Sequence, residues 1–211
     1  LLREYGIAIP MGSAKVPAAV REALEDGENE LPMCLRATVA EQMERIAALA
    51  AGMVAIERRL VEEAAQDVAV QRYQTVPGVG LLTATALRAS AGDLARFRSG
   101  RHLAAWLGLV PREHSSGNQR RLGKITKRGD GYLRTLLVHG GRAVLRSAVM
   151  RQRAARDLDP LQAWALEVQQ RQGHNKAAVA LANKLARRLW ALDHHGTAFN
   201  AKHVSAKPVI A

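Results

Sequence analysis

The stretch Thr75-Val76-Pro77-Gly78-Val79-Gly80, running on into Leu81-Leu82-Thr83-Ala84-Thr85-Ala86-Leu87-Arg88-Ala89-Ser90, decides how this chain is read. A Pro-Gly-x-Gly turn opening into an alanine- and leucine-rich run predicts two helices joined by a tight glycine turn, a helix-hairpin-helix. Gly78 and Gly80 let the chain reverse closely. The free N–H groups at the start of the second helix can then meet a phosphate. A plain helix–helix connection uses the same residues, so the surroundings must choose between the two.

Those surroundings are basic. Residues 96–153 hold twelve Arg and two Lys against two acids, a balance of +12, whereas residues 1–70 hold seven basic and twelve acidic residues, a balance of −5. The whole chain of 211 residues carries +12. Charge concentrated in one block predicts a polyanion partner, because each neutralised phosphate releases counterions. A solvated basic surface without a partner is the alternative.

Within that block, residues 111–130 are polar, with too few apolar side chains for a core element. Loops of this composition carry function when a rigid scaffold holds them. Ser115 and Ser116 precede Gly117 and lie close in sequence to Arg112, Arg120, Arg121, Lys124, Lys127 and Arg128. A serine that attacks a phosphodiester needs cationic donors for the non-bridging oxygens, a proton acceptor and a loop open enough for close approach. Guanidinium groups match phosphate as planar forks, and Gly117 opens the loop. His114, Glu113 and Asp130 are all candidates for the base. The alternative is a phosphate-binding loop whose serines only donate hydrogen bonds. Leu109-Val110 and Leu122 to Ile125 flank this segment, so a short β-hairpin is expected near 109–126.

Elsewhere the pattern is helical. Val39, Met43, Ile46, Leu49, Met53, Ile56 and Leu60 follow one another at spacings of 4, 3, 3, 4, 3 and 4. Residues 33–70 therefore read as one long helix with a heptad-like stripe. The stripe serves either packing within its own domain or a coiled-coil arm joining two copies through residues 36–68. Residues 1–32 read as a lead-in with a short helix from Pro17 to about Asp26. Short helices are expected over 100–108 and 159–172. A longer one over 131–155 buries Leu133, Leu136, Leu137, Val144, Leu145 and Val149, with Arg134, Arg142, Arg146 and Arg153 on its open side. Another over 174–192 has Val179, Ala182, Leu185 and Leu189 on one face and Asn175 as its N-cap. The tail, 197–211, reads as flexible.

The lone cysteine, Cys34, excludes an internal disulfide framework and is read as a packing residue. No apolar run approaches the roughly 20 residues that span a bilayer, and a cytoplasmic, nucleoid-associated protein is expected. No metal site is expected inside the chain. Asp93, Glu113 and Asp130 stand apart, and His194-His195 lack further ligands.

Taken together, several segments resemble one family. They are Thr75 to Gly80 with Thr83-Ala84, Phe97-Arg98-Ser99, Leu103 to Pro111 (with Ala104-Ala105-Trp106-Leu107-Gly108), Ser115-Ser116-Gly117, Gly123-Lys124-Ile125-Thr126-Lys127-Arg128-Gly129-Asp130 and Leu133-Arg134. The chain resembles, over about residues 70–200, the C-terminal domain of insertion-sequence one-ten type transposases, the family of the Piv DNA invertase and the bridge-RNA-guided recombinases. Asn175 to Ala180 and Ala182 to Ala186 resemble that domain's last helix. The resemblance implies a serine nucleophile at Ser116, with Ser115 the less fixed neighbour. It also implies an N-terminal RuvC-like domain whose four carboxylates bind Mg²⁺, which this sequence lacks. DNA, a structured guide RNA and further copies of the chain are the implied partners.

The expected fold is thus mainly α. It comprises a lead-in (1–32), a long coiled-coil-like helix (33–70) and a helical domain (71–196), with Gly78, Gly80, Arg112, Arg120, Arg121, Lys124, Lys127, Arg128 and Arg134 on DNA. The reading is a transposase or site-specific recombinase fragment that needs its missing partner domain. A catalytically silent nucleic-acid-binding module and a dimerisation fragment are the alternatives.

Overall fold

The computed structural model describes residues 2–117, 119 and 121–201. Arg120, expected on DNA, lies outside the described residues, as do Asn118 and 202–211, most of the expected tail. The chain is mainly helical, with eight α-helices and one two-stranded antiparallel sheet among the described residues. It divides into two compact units, 1–59 and 60–211.

In the first unit, a 3-10 turn (Leu2–Tyr5) precedes helix α1 (Val16–Glu25), which carries Pro17 in its first turn. Helix α2 (Met33–Gln66) starts in this unit. Arg36, in the second turn of α2, caps the end of α1. Its guanidinium donates to the carbonyls of Leu24 at 2.8 Å, Asp26 at 2.8 Å and Leu31 at 3.0 Å. These are carbonyls that a helix end and the turn after it leave without partners. Cys34 is exposed, which corrects its reading as a packing residue. It sits in the first turn of α2 beside exposed Met33, while Leu31 is the buried residue of that corner. The middle of the predicted stripe on α2 is open to solvent, while Val39, Met43 and Leu60 are half-buried. Ile46, Leu49, Met53 and Ile56 are 51, 70, 63 and 57% exposed.

The long helix stops at Gln66 instead of running to residue 70. Asp67 breaks it by taking an extended backbone and accepting from the N–H groups of Ala69 (2.8 Å) and Val70 (3.2 Å), so that it starts helix α3 (Val68–Gln74). Asp67 also receives the Arg88 guanidinium at 2.8 Å. Its carboxyl stays below the usual value near 3.8. Burial is the largest single influence and works the other way, but the hydrogen bonds from Arg88, Val70 and Ala69 together outweigh it. A carboxyl with a lowered native pKa stabilises the fold above its unfolded value and loses that contribution as acid protonates the native form. Asp67→Asn keeps a capping oxygen but not the charge. It is expected to be less stable than wild type at neutral pH by under about 1 kcal/mol, since the pair is partly exposed. The gap should close as the pH falls below the ordinary carboxylate value and through the lowered one of native Asp67, and thermal melts at neutral and strongly acid pH would measure it.

Helix α4 (Leu81–Ala91) follows the Pro77–Gly80 turn. Helix α5 (Gly100–Trp106) is capped by Ser99. The strands β1 (Pro111–Glu113) and β2 (Leu122–Ile125) come next. Helix α6 (Gly131–Arg153) is capped by Asp130, and α7 (Pro160–Gln172) opens with an Asp159–Gln162 capping box. Helix α8 (His174–His195) starts after Gly173, which has φ +84° and provides no side-chain cap, so the N-cap expected at Asn175 is not one. The chain has already turned into the helix when it reaches Asn175.

Helix α8 is the centre of the second unit. It packs against α3, α5, α6 and α7 through Leu181, Leu185 and Leu189, all fully buried. Leu133, Leu137, Val144 and Leu145 of α6 are buried against it as expected, whereas Leu136 and Val149 are half-buried. Asp193 at the end of α8 accepts from the Leu94 N–H at 3.1 Å and pairs with Arg72 at 3.5 Å. The buried Tyr73 hydroxyl is beside that carboxylate but outside hydrogen-bond geometry. Burial, then Asp193, keeps the Tyr73 phenol protonated well above its ordinary range.

Candidate nucleic-acid interface

The Pro77–Gly80 turn joins α3 to α4 as the sequence predicts, but its first glycine has a packing duty. A Cβ on Gly78 would lie 2.6 Å from the Gly140 carbonyl and 2.8 Å from a Val144 methyl. Gly78 also has φ +84°. The turn therefore rests on the middle of α6, and only two facing glycines permit that approach. Gly80 is exposed and starts α4 without a side-chain cap, so the first N–H groups of α4 remain available to an anion.

The polar segment forms the expected hairpin. Pro111 pairs with Ile125 and Glu113 with Leu122, with an irregularity between them. Every described residue from Pro111 to Lys124 is exposed. A two-stranded ribbon of this kind is marginal by itself, so its base must hold it. Beyond the strands, Thr126 donates to the Val110 carbonyl at 2.8 Å and Lys127 to that of Gly108 at 3.1 Å. Below them the segment 106–108 meets the segment 127–129 at close range, through Gly108 (φ +69°) and Gly129 (φ +95°). A Cβ on Gly129 would overlap the Trp106 carbonyl oxygen, and one on Gly108 would overlap the Arg128 backbone. The side chain of Asn183 on α8 adds a hydrogen bond to the Leu109 carbonyl at 3.1 Å. The hairpin is thus fixed at its root and open at its tip.

At the tip, Ser116 and Gln119 bond each other through their backbones, Ser116 N–H to Gln119 O at 3.3 Å and the reverse at 3.1 Å. Gly117 takes φ +54° between them. The two serines have different surroundings. The Ser115 hydroxyl donates to Glu113 at 2.7 Å and accepts from the Arg121 N–H at 3.1 Å. The Ser116 hydroxyl has no side-chain partner among the described residues and sits on the exposed turn. Of the three candidate bases, Asp130 accepts from the N–H groups of Tyr132 and Leu133 at the start of α6, and Glu113 holds Ser115. His114 stays on the hairpin, its ring beside Gly123.

The predicted cations separate into two groups. Arg112, Arg121 and Lys124 are exposed on the hairpin, and Lys127 and Arg128 are exposed where it rejoins the body. Arg134 is different. It is half-buried, not on the open side of α6, and donates to the Leu107 carbonyl at 3.1 Å, which ties α6 to the end of α5. Arg142, Arg146 and Arg153 are exposed as expected.

Sequence reasoning missed a groove of about 1190 Å³ between the hairpin root and α7–α8. Trp164, Lys176, Lys184 and Arg187 line it together with Lys124. One signal was present in the sequence: Lys176, Asn183 and Arg187 follow at spacings of 7 and 4, a polar stripe along one face of α8.

No group of three or more His, Cys, Asp or Glu among the described residues is placed to hold a metal ion. No helix among them is long and apolar enough to cross a membrane.

Residues 70–156 match the transposase IS116/IS110/IS902 family. A probable family 20 transposase of Pseudomonas aeruginosa is 43% identical over 94% of this chain and 57% of its own length. The transposase for insertion sequence element IS1111A of Coxiella burnetii is 39% identical over 91% of this chain and 51% of its own. The pilin gene-inverting protein of Moraxella bovis is 46% identical over 43 residues, 20% of this chain and 13% of its own length. The chain thus spans about half the length of the transposases it matches.

Proposed function

Since this chain belongs to the transposase IS116/IS110/IS902 family, we propose that its hairpin grips DNA and presents Ser116 as the nucleophile for strand cleavage and exchange. The observation that carries this reading is the contrast between neighbours. Ser115 is held by Glu113 and Arg121, while Ser116 is exposed on a turn opened by Gly117. A hydroxyl that attacks phosphorus must reach it unencumbered, and Ser116 meets that condition.

In the step, the Ser116 Oγ–phosphorus bond forms as one bridging P–O bond breaks, and the hydroxyl proton ends on the leaving oxygen. Arg112, Arg121 and Lys124 stand on the same ribbon to meet the non-bridging oxygens. Ser115 and Glu113 hold the tip in shape. The described carboxylates do not suit a divalent cation, because Asp130 caps α6, Glu113 holds Ser115, and no cluster gathers around the serine. Any Mg²⁺ would be held by carboxylates elsewhere in the assembly, so a separately supplied RuvC-like domain belongs in the assay.

The test mixes the chain with a labelled DNA junction, with and without that domain and Mg²⁺, and looks for a protein–DNA band that survives denaturation. Ser116→Ala is expected to remove the band and leave affinity within about twofold, since a hydroxyl contributes little to a binding surface dominated by phosphate contacts. Ser115→Ala is expected to slow the reaction without abolishing it. A band that persists in Ser116→Ala sinks the assignment.

The exposed stripe of α2 supports a second element of the proposal, pairing of two copies through residues 36–68.

A further inference from the structure

The groove between the hairpin root and α8 has a definite chemistry. Its floor is apolar, from Leu109, Ile125 and Val179. Four cations line it, Lys124, Lys176, Lys184 and Arg187, and no acidic residue does among the described residues. The Lys184 ammonium lies 3.8 Å from the centre of the Trp164 ring. Burial, and then Arg188 and Arg187 nearby, hold that ammonium below its ordinary value. Positive charge is thus gathered around a concave apolar surface with no counter-charge in the lining.

We propose that this groove holds an unpaired DNA strand, its phosphates on Lys124, Lys176 and Arg187 and its bases on the apolar floor beside Trp164. A duplex presents phosphates outward and hides its bases, so it has no use for an apolar floor. A single strand offers both faces, and aromatic rings with cations are what such strands engage. The choice of DNA rests on the proposed role of Ser116. Lys124 belongs both to the groove and to the hairpin that presents Ser116, so a strand in the groove is continuous with the strand under attack. Asn183, bonded to the Leu109 carbonyl, keeps the wall of the groove in place.

The test measures anisotropy of a labelled oligothymidylate of about twelve nucleotides, within the length that single-strand sites occupy. A duplex of that length, an oligouridylate and polyglutamate serve as competitors. Oligothymidylate should win over all three. Three phosphate contacts predict a slope of log affinity against log salt of about −2. The double variant Lys176→Glu, Arg187→Glu alters exposed side chains, so its melting temperature should be unchanged. Its affinity should fall at least about tenfold and its salt slope by about two thirds. Oligothymidylate should also quench tryptophan fluorescence in wild type and not in Trp164→Phe. Ser116→Ala should bind oligothymidylate normally, so loss of the adduct and loss of strand binding are separable failures. Equal or tighter binding of duplex, oligouridylate or polyglutamate would overturn the proposal. So would an unchanged affinity in the double variant, or quenching that persists in Trp164→Phe.

Discussion

Gly129→Ala is expected to destabilise the second unit by about 4 kcal/mol, close to the limit of what single substitutions do. Two costs add. Gly129 has φ +95°, where an alanine is strained by roughly 1–3 kcal/mol. Its new methyl would also overlap the Trp106 carbonyl oxygen, which has little room to retreat because Trp106 ends α5 and packs, half-buried, against the core. For a unit of this size the melting temperature should drop by roughly 8–16 °C. Gly117→Ala is the contrast. Gly117 too has a positive φ, but nothing lies within 4 Å of its Cβ position, so the loss should be about 1 kcal/mol. Calorimetry on the two variants separates closure of the hairpin root from simple glycine strain. Equal losses would mean that the root is not a clamp.

On the proposed pairing of two copies through α2, the pair Ile46→Asp, Met53→Asp is expected to weaken that association by at least about a thousandfold, since each dimer would bury four carboxylates in an apolar seam. Both positions are more than half exposed in the single chain, so the helix itself should survive. Sedimentation should then show monomer where wild type shows a larger species, with unchanged helical circular dichroism. An unchanged mass would remove α2 as the pairing element.

Much of this architecture was legible in the sequence because it is local. The helices announce themselves by apolar spacing, and the hairpin by a polar segment between Leu109-Val110 and Leu122 to Ile125. The α2–α3 break was less visible, because Ala64, Val68 and Val70 continue an apolar pattern across Asp67. Only the bond from Arg88, 21 positions onward, shows how firmly that residue is fixed. The facing glycines 78 and 140, and the close backbone approaches of Gly108 to Arg128 and of Gly129 to Trp106, are tertiary facts. Each glycine reads as an ordinary turn or helix residue until the opposing backbone is in place. The same holds for Arg134, which looks like one more surface cation until the Leu107 carbonyl meets it. At the site, residue chemistry alone brings Ser115 and Ser116 to one loop, and the family resemblance points to Ser116. The structure adds that the Ser115 hydroxyl is held by Glu113 and the Arg121 N–H. The groove was hidden because its cations come from β2 and α8, more than fifty residues apart.

The most direct measurement is the chemical location of the DNA on the protein. The denatured adduct would be digested with protease and nuclease, and the nucleotide-bearing peptide sequenced by mass spectrometry. A nucleotide remnant on Ser116 is the expected result. A remnant on Ser115 or any other side chain, or salt-sensitive DNA binding with no adduct when the carboxylate domain and Mg²⁺ are supplied, would contradict it.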